Sequence, residues 1–222
     1  MLKYPCLVLD HDDTVVQSEA TINYPCFCRF LEIYRPGEAY SFAEYVEDCS
    51  RMSFMDLCRV RFHMTDAELY EEYLFWKAYM NEHIPDTYPG IGALLTAYRD
   101  AGGKICVVSM SSEKIILRDY QAHFGFVPDL IFGCELPEAQ RKPGIYPLKQ
   151  IQKELGFSCG QILIVDDMKF AVDMARNAGC PIAFAGWSRR DFPEICAQME
   201  ALCDYTFYSV EAFHRTLLGE MP

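Results

Sequence analysis

CLVLDHDDT, residues 6–14, stands near the start of a 222-residue chain and decides its fold. Cys6-Leu7-Val8-Leu9 is a short run with no polar alternation, and the polarity changes at once at Asp10. A run apolar on both faces suits a strand buried inside a parallel sheet. The same kind of run returns along the chain at Ile105-Cys106-Val107-Val108, Leu130-Ile131-Phe132, Ile162-Leu163-Ile164-Val165 and Ile182-Ala183-Phe184-Ala185.

Helical patterns lie between these runs. Ile91, Leu94, Leu95 and Tyr98 share one face, and Gly102-Gly103 marks the stop. Further helices are predicted over about 112–124 and about 145–155, the second ending at Gly156, and from the run at 162–165 to Gly179. The tail from Tyr205 to Leu218 predicts one strand and one helix. Strands alternating with helices predict an α/β protein with a Rossmann-like parallel sheet.

Residues 16–87 break this rhythm. They hold no β-branched run and predict several helices, with breaks near Pro36-Gly37 and Thr65. Thr65-Asp66-Ala67-Glu68 has the pattern of a capping box, and Leu69, Tyr73, Trp76 and Met80 fall on one face after it. The block is rich in aromatics, which are expected to form core. The expected organisation is therefore a catalytic core of residues 1–15 and 88–222, with a helical domain inserted at 16–87.

Composition narrows the partners. Acids outnumber bases by 32 to 20, a net charge of −12. That balance argues against nucleic acid and against an anionic membrane surface. No segment approaches the roughly 18 apolar residues of a membrane span. The first apolar run is too short for a signal peptide. The 11 cysteines include no CxxC pair, only the CxC of Cys26 and Cys28. Reduced thiols and a cytoplasmic location are the expectation. Nothing in the sequence sets an oligomeric state.

Four features follow predicted strands. Asp10 and Asp12 follow the first, Ser109 and Ser111 follow Val107-Val108, and Asp166-Asp167 follow Ile162–Val165. Lys142-Pro143 lies in the loop after Leu130–Phe132. In a parallel sheet these positions meet beyond one edge, where ligands bind. The chemistry that fits is phosphoryl transfer. One of Asp10 and Asp12 can attack phosphorus while the other handles the proton. Four carboxylates at one edge call for a cation, and oxygen ligands suit Mg2+. Ser109, Ser111 and backbone N–H groups can hold phosphate oxygens, and Lys142 supplies fixed positive charge.

These residues resemble the haloacid dehalogenase superfamily, in its phosphatase branch with a helical cap after the first strand. Val8-Leu9-Asp10-His11-Asp12-Asp13-Thr14 is similar to its first motif and Val107-Val108-Ser109 to its second. Lys142-Pro143 is similar to its third, and Ile162–Asp167 with Ala178-Gly179 to its fourth. The resemblance implies that Asp10 is the nucleophile and becomes phosphoaspartate. It implies that Asp12 is general acid, then general base. It places Mg2+ on the Asp10 carboxylate, the Asp12 carbonyl and Asp167, with Asp166 direct or through water. Ser109 and Lys142 would bind phosphoryl oxygens, with Ser111 a further candidate, and the cap would close over a small phosphate ester.

Two positions depart from the family pattern. Asp13 stands where Gly is usual, adding charge near the metal or, as favoured here, capping the turn. Met168 stands where a small residue is common. Two other activities use similar residues. A sugar-phosphate mutase shares the aspartates, and Thr14, where such mutases often carry Val, leans towards hydrolysis. A phospho-accepting signalling module carries its acid pair early and its Lys last, the reverse of the order here.

Other features have plainer expectations. Arg51, Arg59, Arg61 and Lys77 are expected mostly in solvated ion pairs. His63, His83, His123 and His214 lack metal-binding spacing. His11 is expected to point away from Asp10 and Asp12. Gly90-Ile91-Gly92 is not a dinucleotide fingerprint, and Asp10-His11-Asp12 fails the calcium-loop pattern at Val15 and Thr21.

Overall fold

The computed structural model describes residues 2–219. The chain divides into two compact units: one runs to Gln17 and resumes at Thr87, and the other is Ser18–Asp86.

The first unit holds a six-stranded sheet in the order β3-β2-β1-β4-β5-β6. The strands are β1 (Cys6–Leu9), β2 (Lys104–Val108), β3 (Leu130–Phe132), β4 (Ile162–Asp166), β5 (Ile182–Ala185) and β6 (Tyr205–Phe207). Every pairing is parallel. β1, β4 and β5 are buried along their whole length, as their unbroken apolar runs predict. The outer strands β3 and β6 are half-buried.

Chain order runs outward from β1 to β3 on one side and from β4 to β6 on the other. The switch falls between β1 and β4, where Leu9 pairs with Val165. A crevice at such a switch is where open α/β sheets bind ligands. Asp10 follows β1 and Asp166 ends β4, so the two acids flank that point.

In this unit, α5 (Ile91–Asp100) and α6 (Glu113–Phe124) accompany the β2 side of the sheet, with α7 (Tyr146–Leu155) after β3. α8 (Lys169–Ala178), α9 (Pro193–Leu202) and α10 (Val210–Leu218) follow β4, β5 and β6. Leu7, Leu9, Val107 and Val165 share one core cluster with Ile91, Leu95, Tyr98 and Ile116 from α5 and α6. Gly103 packs so closely against the Tyr98 ring that a Cβ there would collide with it. Val16 bridges to Asp12 on one side and to Thr87 on the other, so both ends of the intervening segment are tied to the sheet unit.

The second unit is helical: a π-turn at Glu19–Asn23, then α1 (Tyr24–Tyr34), α2 (Phe42–Arg51), α3 (Phe54–Arg61) and α4 (Asp66–Glu82). Ser41, Ser53 and Thr65 cap α2, α3 and α4. The expected box at Thr65 forms in full: the Thr65 N–H donates to Glu68 at 2.8 Å, and the Glu68 N–H donates to Thr65 Oγ1 at 3.3 Å. Aromatics form its core. Phe27 meets Phe54 at 5.0 Å and Phe62 at 5.3 Å between ring centres, both edge-on.

One face differs from expectation. Leu69 and Met80 of α4 are buried, but Tyr73 is 41% exposed and Glu72 is 7% exposed. Positions three and four residues after Leu69 both satisfy the helical period, and the buried stripe passes through the first. Arg51, Arg59 and Arg61 each pair with carboxylates on this unit, all with substantial exposure.

None of the eleven cysteines is in a disulfide. No described helix is long and apolar enough to cross a membrane.

Candidate active site

Asp10 lies one residue beyond β1, and its backbone N–H donates to the Val165 carbonyl at 2.9 Å. That ladder bond fixes the acid at the switch point. Asp10, Asp166 and Asp167 are all buried, and one carboxylate oxygen from each lies within 4.8 Å of the others. No such group of three forms elsewhere among the described residues.

Lys142 joins the group from the loop after β3. Its Nζ donates to Asp10 Oδ1 and to Asp166 Oδ2, each at 2.7 Å. The Lys142-Pro143 peptide bond is cis. Asp166 Oδ1 accepts the Met168 N–H at 2.8 Å, so both oxygens of Asp166 have partners. Met168 therefore contributes its backbone, which is independent of side-chain size.

The charges explain one another. Burial pushes the Asp166 carboxyl up to about 8, with Asp10 and Asp167 adding to the rise and Lys142 opposing it. Burial also raises Asp167, against the Arg189 guanidinium. Lys142 itself is raised: burial pulls its ammonium down, but Asp10 and Asp166 together outweigh it. Crowded carboxylates resist joint ionisation, and a divalent cation would relieve that strain.

The two serines divide their tasks. Ser111 Oγ donates to Asp12 Oδ2 at 2.6 Å, and the Ser111 N–H donates to Ser109 Oγ at 3.2 Å. A hydroxyl carries one proton. Ser111 gives its proton to Asp12, whereas the Ser109 hydroxyl accepts from Ser111 and keeps its own proton to donate. Gly133 lets the loop after β3 approach this turn: a Cβ there would lie 2.7 Å from the Ser111 carbonyl. The Cys134 N–H donates to that same carbonyl at 2.9 Å.

The structure thus brings Asp10, Lys142, Asp166 and Asp167 into one group, with Asp12, Ser111 and Ser109 linked in a second chain of bonds. His11 points away from the acids, as expected. Its Nε2 lies 3.1 Å from Asp119 Oδ2, and its ring stacks on Tyr120.

Sequence reasoning missed Arg189. It follows β5 and a short 3-10 turn, it is 3% exposed, and it pairs with both Asp13 and Asp167. A signal was present. Asp13 adds one more buried carboxylate, and Arg189-Arg190 stand just beyond another strand at the same sheet edge. Asp13 itself has φ +53°, a left-handed turn position that Asp tolerates better than most residues.

A parallel doubly wound sheet with buried carboxylates and a lysine at its switch point, and two serines after the neighbouring strand, defines an α/β core with a candidate active site at its carboxyl edge. The sequence pattern of the haloacid dehalogenase-like hydrolase family matches residues 7–185, and the chain belongs to that family. Solved structures share the fold. A predicted phosphoglycolate phosphatase from Haemophilus somnus is 19% identical, with TM-score 0.73 and 100% of each chain covered. A predicted phosphatase from Clostridium acetobutylicum is 16% identical, with TM-score 0.74, covering 97% of this chain and 99% of that one. CbbY from Rhodobacter sphaeroides, solved in complex with phosphate, is 19% identical, with TM-score 0.70, covering 94% of this chain and 95% of that one. No curated protein sequence matches the chain.

Proposed function

We propose that this protein is a Mg2+-dependent phosphatase of small soluble phosphate monoesters, working in the cytoplasm through a phosphoaspartate on Asp10. The observation that carries the proposal is the contact of Lys142 Nζ with Asp10 and Asp166 inside an all-carboxylate group. A nucleophile, a fixed cation and a hard-metal donor set meet there at the switch point of the sheet.

The donor set fits Mg2+, because it is all oxygen and leaves positions for water and a phosphate oxygen. Asp10, the Asp12 carbonyl and Asp167 would hold the ion. Asp166, whose two oxygens serve Lys142 and Met168, would act through water. Bound there, the ion supplies Lewis-acid charge at the phosphoryl group.

The remaining steps belong to side chains. Asp10 attacks phosphorus, and the ester P–O bond breaks. Asp12, oriented by Ser111, gives a proton to the leaving alkoxide. It then takes a proton from the water that attacks the phosphoaspartate, which releases inorganic phosphate and regenerates Asp10. Ser109 donates its hydroxyl to a phosphoryl oxygen. Lys142 balances the negative charge that gathers on the phosphoryl group. The helical unit, Ser18–Asp86, is the part of the chain to which substrate selection is assigned in this reading.

A phosphate-release screen over a panel of small phosphate esters with Mg2+, phosphoglycolate among them, tests the proposal. Turnover of at least one ester, abolished in Asp10→Asn, is the expected result. Hexose 1-phosphate converted to hexose 6-phosphate with a bisphosphate primer, without free phosphate, would replace the phosphatase by a mutase.

A further inference from the structure

Asp13 and Arg189 lie next to the acid group without belonging to it. Asp13 is 4% exposed, and its Oδ2 accepts from Arg189 Nη1 at 3.1 Å. The other arm of the same guanidinium, Nη2, donates to Asp167 Oδ2. Arg189 therefore touches an acid that a cation needs, while being balanced by an acid that a cation does not need.

Neither Tyr88 nor Lys142 supplies the counter-charge to Arg189. Tyr88 lies close to Asp13, Asp167 and Arg189, but burial and the two carboxylates push its hydroxyl up, so it stays a neutral phenol. Lys142 is engaged by Asp10 and Asp166. Thr14 Oγ1 lies 3.5 Å from Asp167 Oδ1, a long contact. Of the two Asp167 oxygens, Oδ2 accepts from Arg189 and Oδ1 lies beside Thr14.

Electrostatics gives the direction. A guanidinium against Asp167 repels any cation bound to that carboxylate, and the repulsion is strong in a buried site. A carboxylate on the far arm of the guanidinium offsets it. A buried Arg is also a rigid fork, so it holds the Asp167 plane as well as its charge.

We propose that Arg189 is a positioning residue that acts through Asp167, and that Asp13 neutralises it, so that the pair together sets the affinity of the site for a divalent cation. This rests on the magnesium reading above. Asp13 in this role is neither an extra metal acid nor simply a turn cap; it is the counter-charge of Arg189.

Isothermal calorimetry with Mg2+ alone tests the pair, with folding of each variant checked by circular dichroism. Asp13→Asn keeps shape and tolerates the left-handed turn, so it is the primary variant. It leaves the guanidinium charge on Asp167 unbalanced, and Mg2+ should bind at least tenfold more weakly than in the wild type. Arg189→Met should bind Mg2+ at least tenfold more tightly. The double variant should return to within threefold of the wild type. Should Arg189→Met fail to fold, Asp13→Asn alone decides. Unchanged affinity in folded Asp13→Asn, within threefold, would overturn the inference and leave the pair a structural brace. A wild type that binds no Mg2+ would overturn both the inference and the magnesium reading. The predicted pattern of affinities without phosphate release from any ester would retain the pair and overturn only the phosphatase reading.

Discussion

The two units treat buried carboxylates in opposite ways. At the sheet edge, Asp10 and Asp166 share Lys142, and Asp13 and Asp167 share Arg189. In the helical unit, Glu72 is buried and is paired with no cation among the described residues. Burial alone pushes its carboxyl up to about 7. Its neighbours there are the thiols Cys26 and Cys58, themselves raised chiefly by burial and further by Glu72. Burial raises the acids in both units, Asp166 to about 8 and Glu72 to about 7, but only at the sheet edge does a neighbouring cation, Lys142 or Arg189, oppose the rise. The first arrangement suits nucleophilic and metal chemistry. The second is a cost to stability that the helical unit bears.

Removing a counter-charge should have the largest effect. Lys142→Met strips the cation from Asp10 and Asp166 and should lower turnover about 10²–10³-fold. Steady-state phosphate release measures this, with folding verified separately. A loss of less than tenfold would show that Lys142 does not act on the phosphoryl group.

The Glu72 effect comes next, in stability rather than rate. Its carboxyl is raised from 4.5 to about 7 in the folded chain. The folded state therefore holds a proton that the unfolded state gives up. Stability from this group is full below about pH 4.5 and is lost as pH rises through 7, by about 3 kcal/mol. Glu72→Gln removes that loss. Urea unfolding at pH 5 and pH 8 should show the variant gaining on the wild type by most of that amount at the higher pH. An advantage independent of pH would mean that Glu72 is charged in the folded chain.

Ser111→Ala should be milder. It deletes one hydrogen bond to Asp12 without removing a charge, and kcat should fall about tenfold with KM little changed. A large rise in KM instead would make Ser111 a phosphate ligand rather than a support for Asp12.

Much of the sheet unit was legible because its signals are local. A run such as Ile162–Val165 has to be buried on both faces, and Gly156 has to end a helix, whatever lies elsewhere in the chain. The edge residues Asp10, Ser109, Lys142 and Asp166 follow from strand ends plus the rule that parallel strands share one carboxyl edge. The helical unit was less legible because helix periodicity leaves a choice of face. Tyr73 and Glu72 are adjacent, hydrophobicity favours Tyr73, and the packing of α4 buries Glu72. Arg189 was missed for a different reason. Its contact with Asp13 spans 176 residues and depends on a left-handed turn and a 3-10 turn, neither of which periodicity registers.

The most direct test concerns Asp10. The protein is acid-quenched during turnover of p-nitrophenyl phosphate with Mg2+, and its peptides are mapped by mass spectrometry. One phosphoryl group should appear on the peptide containing Asp10 in the wild type. Asp10→Asn should show neither phosphopeptide nor phosphate release. Turnover persisting in Asp10→Asn, or a phosphoryl group on another residue, would contradict the assignment of Asp10 as the nucleophile.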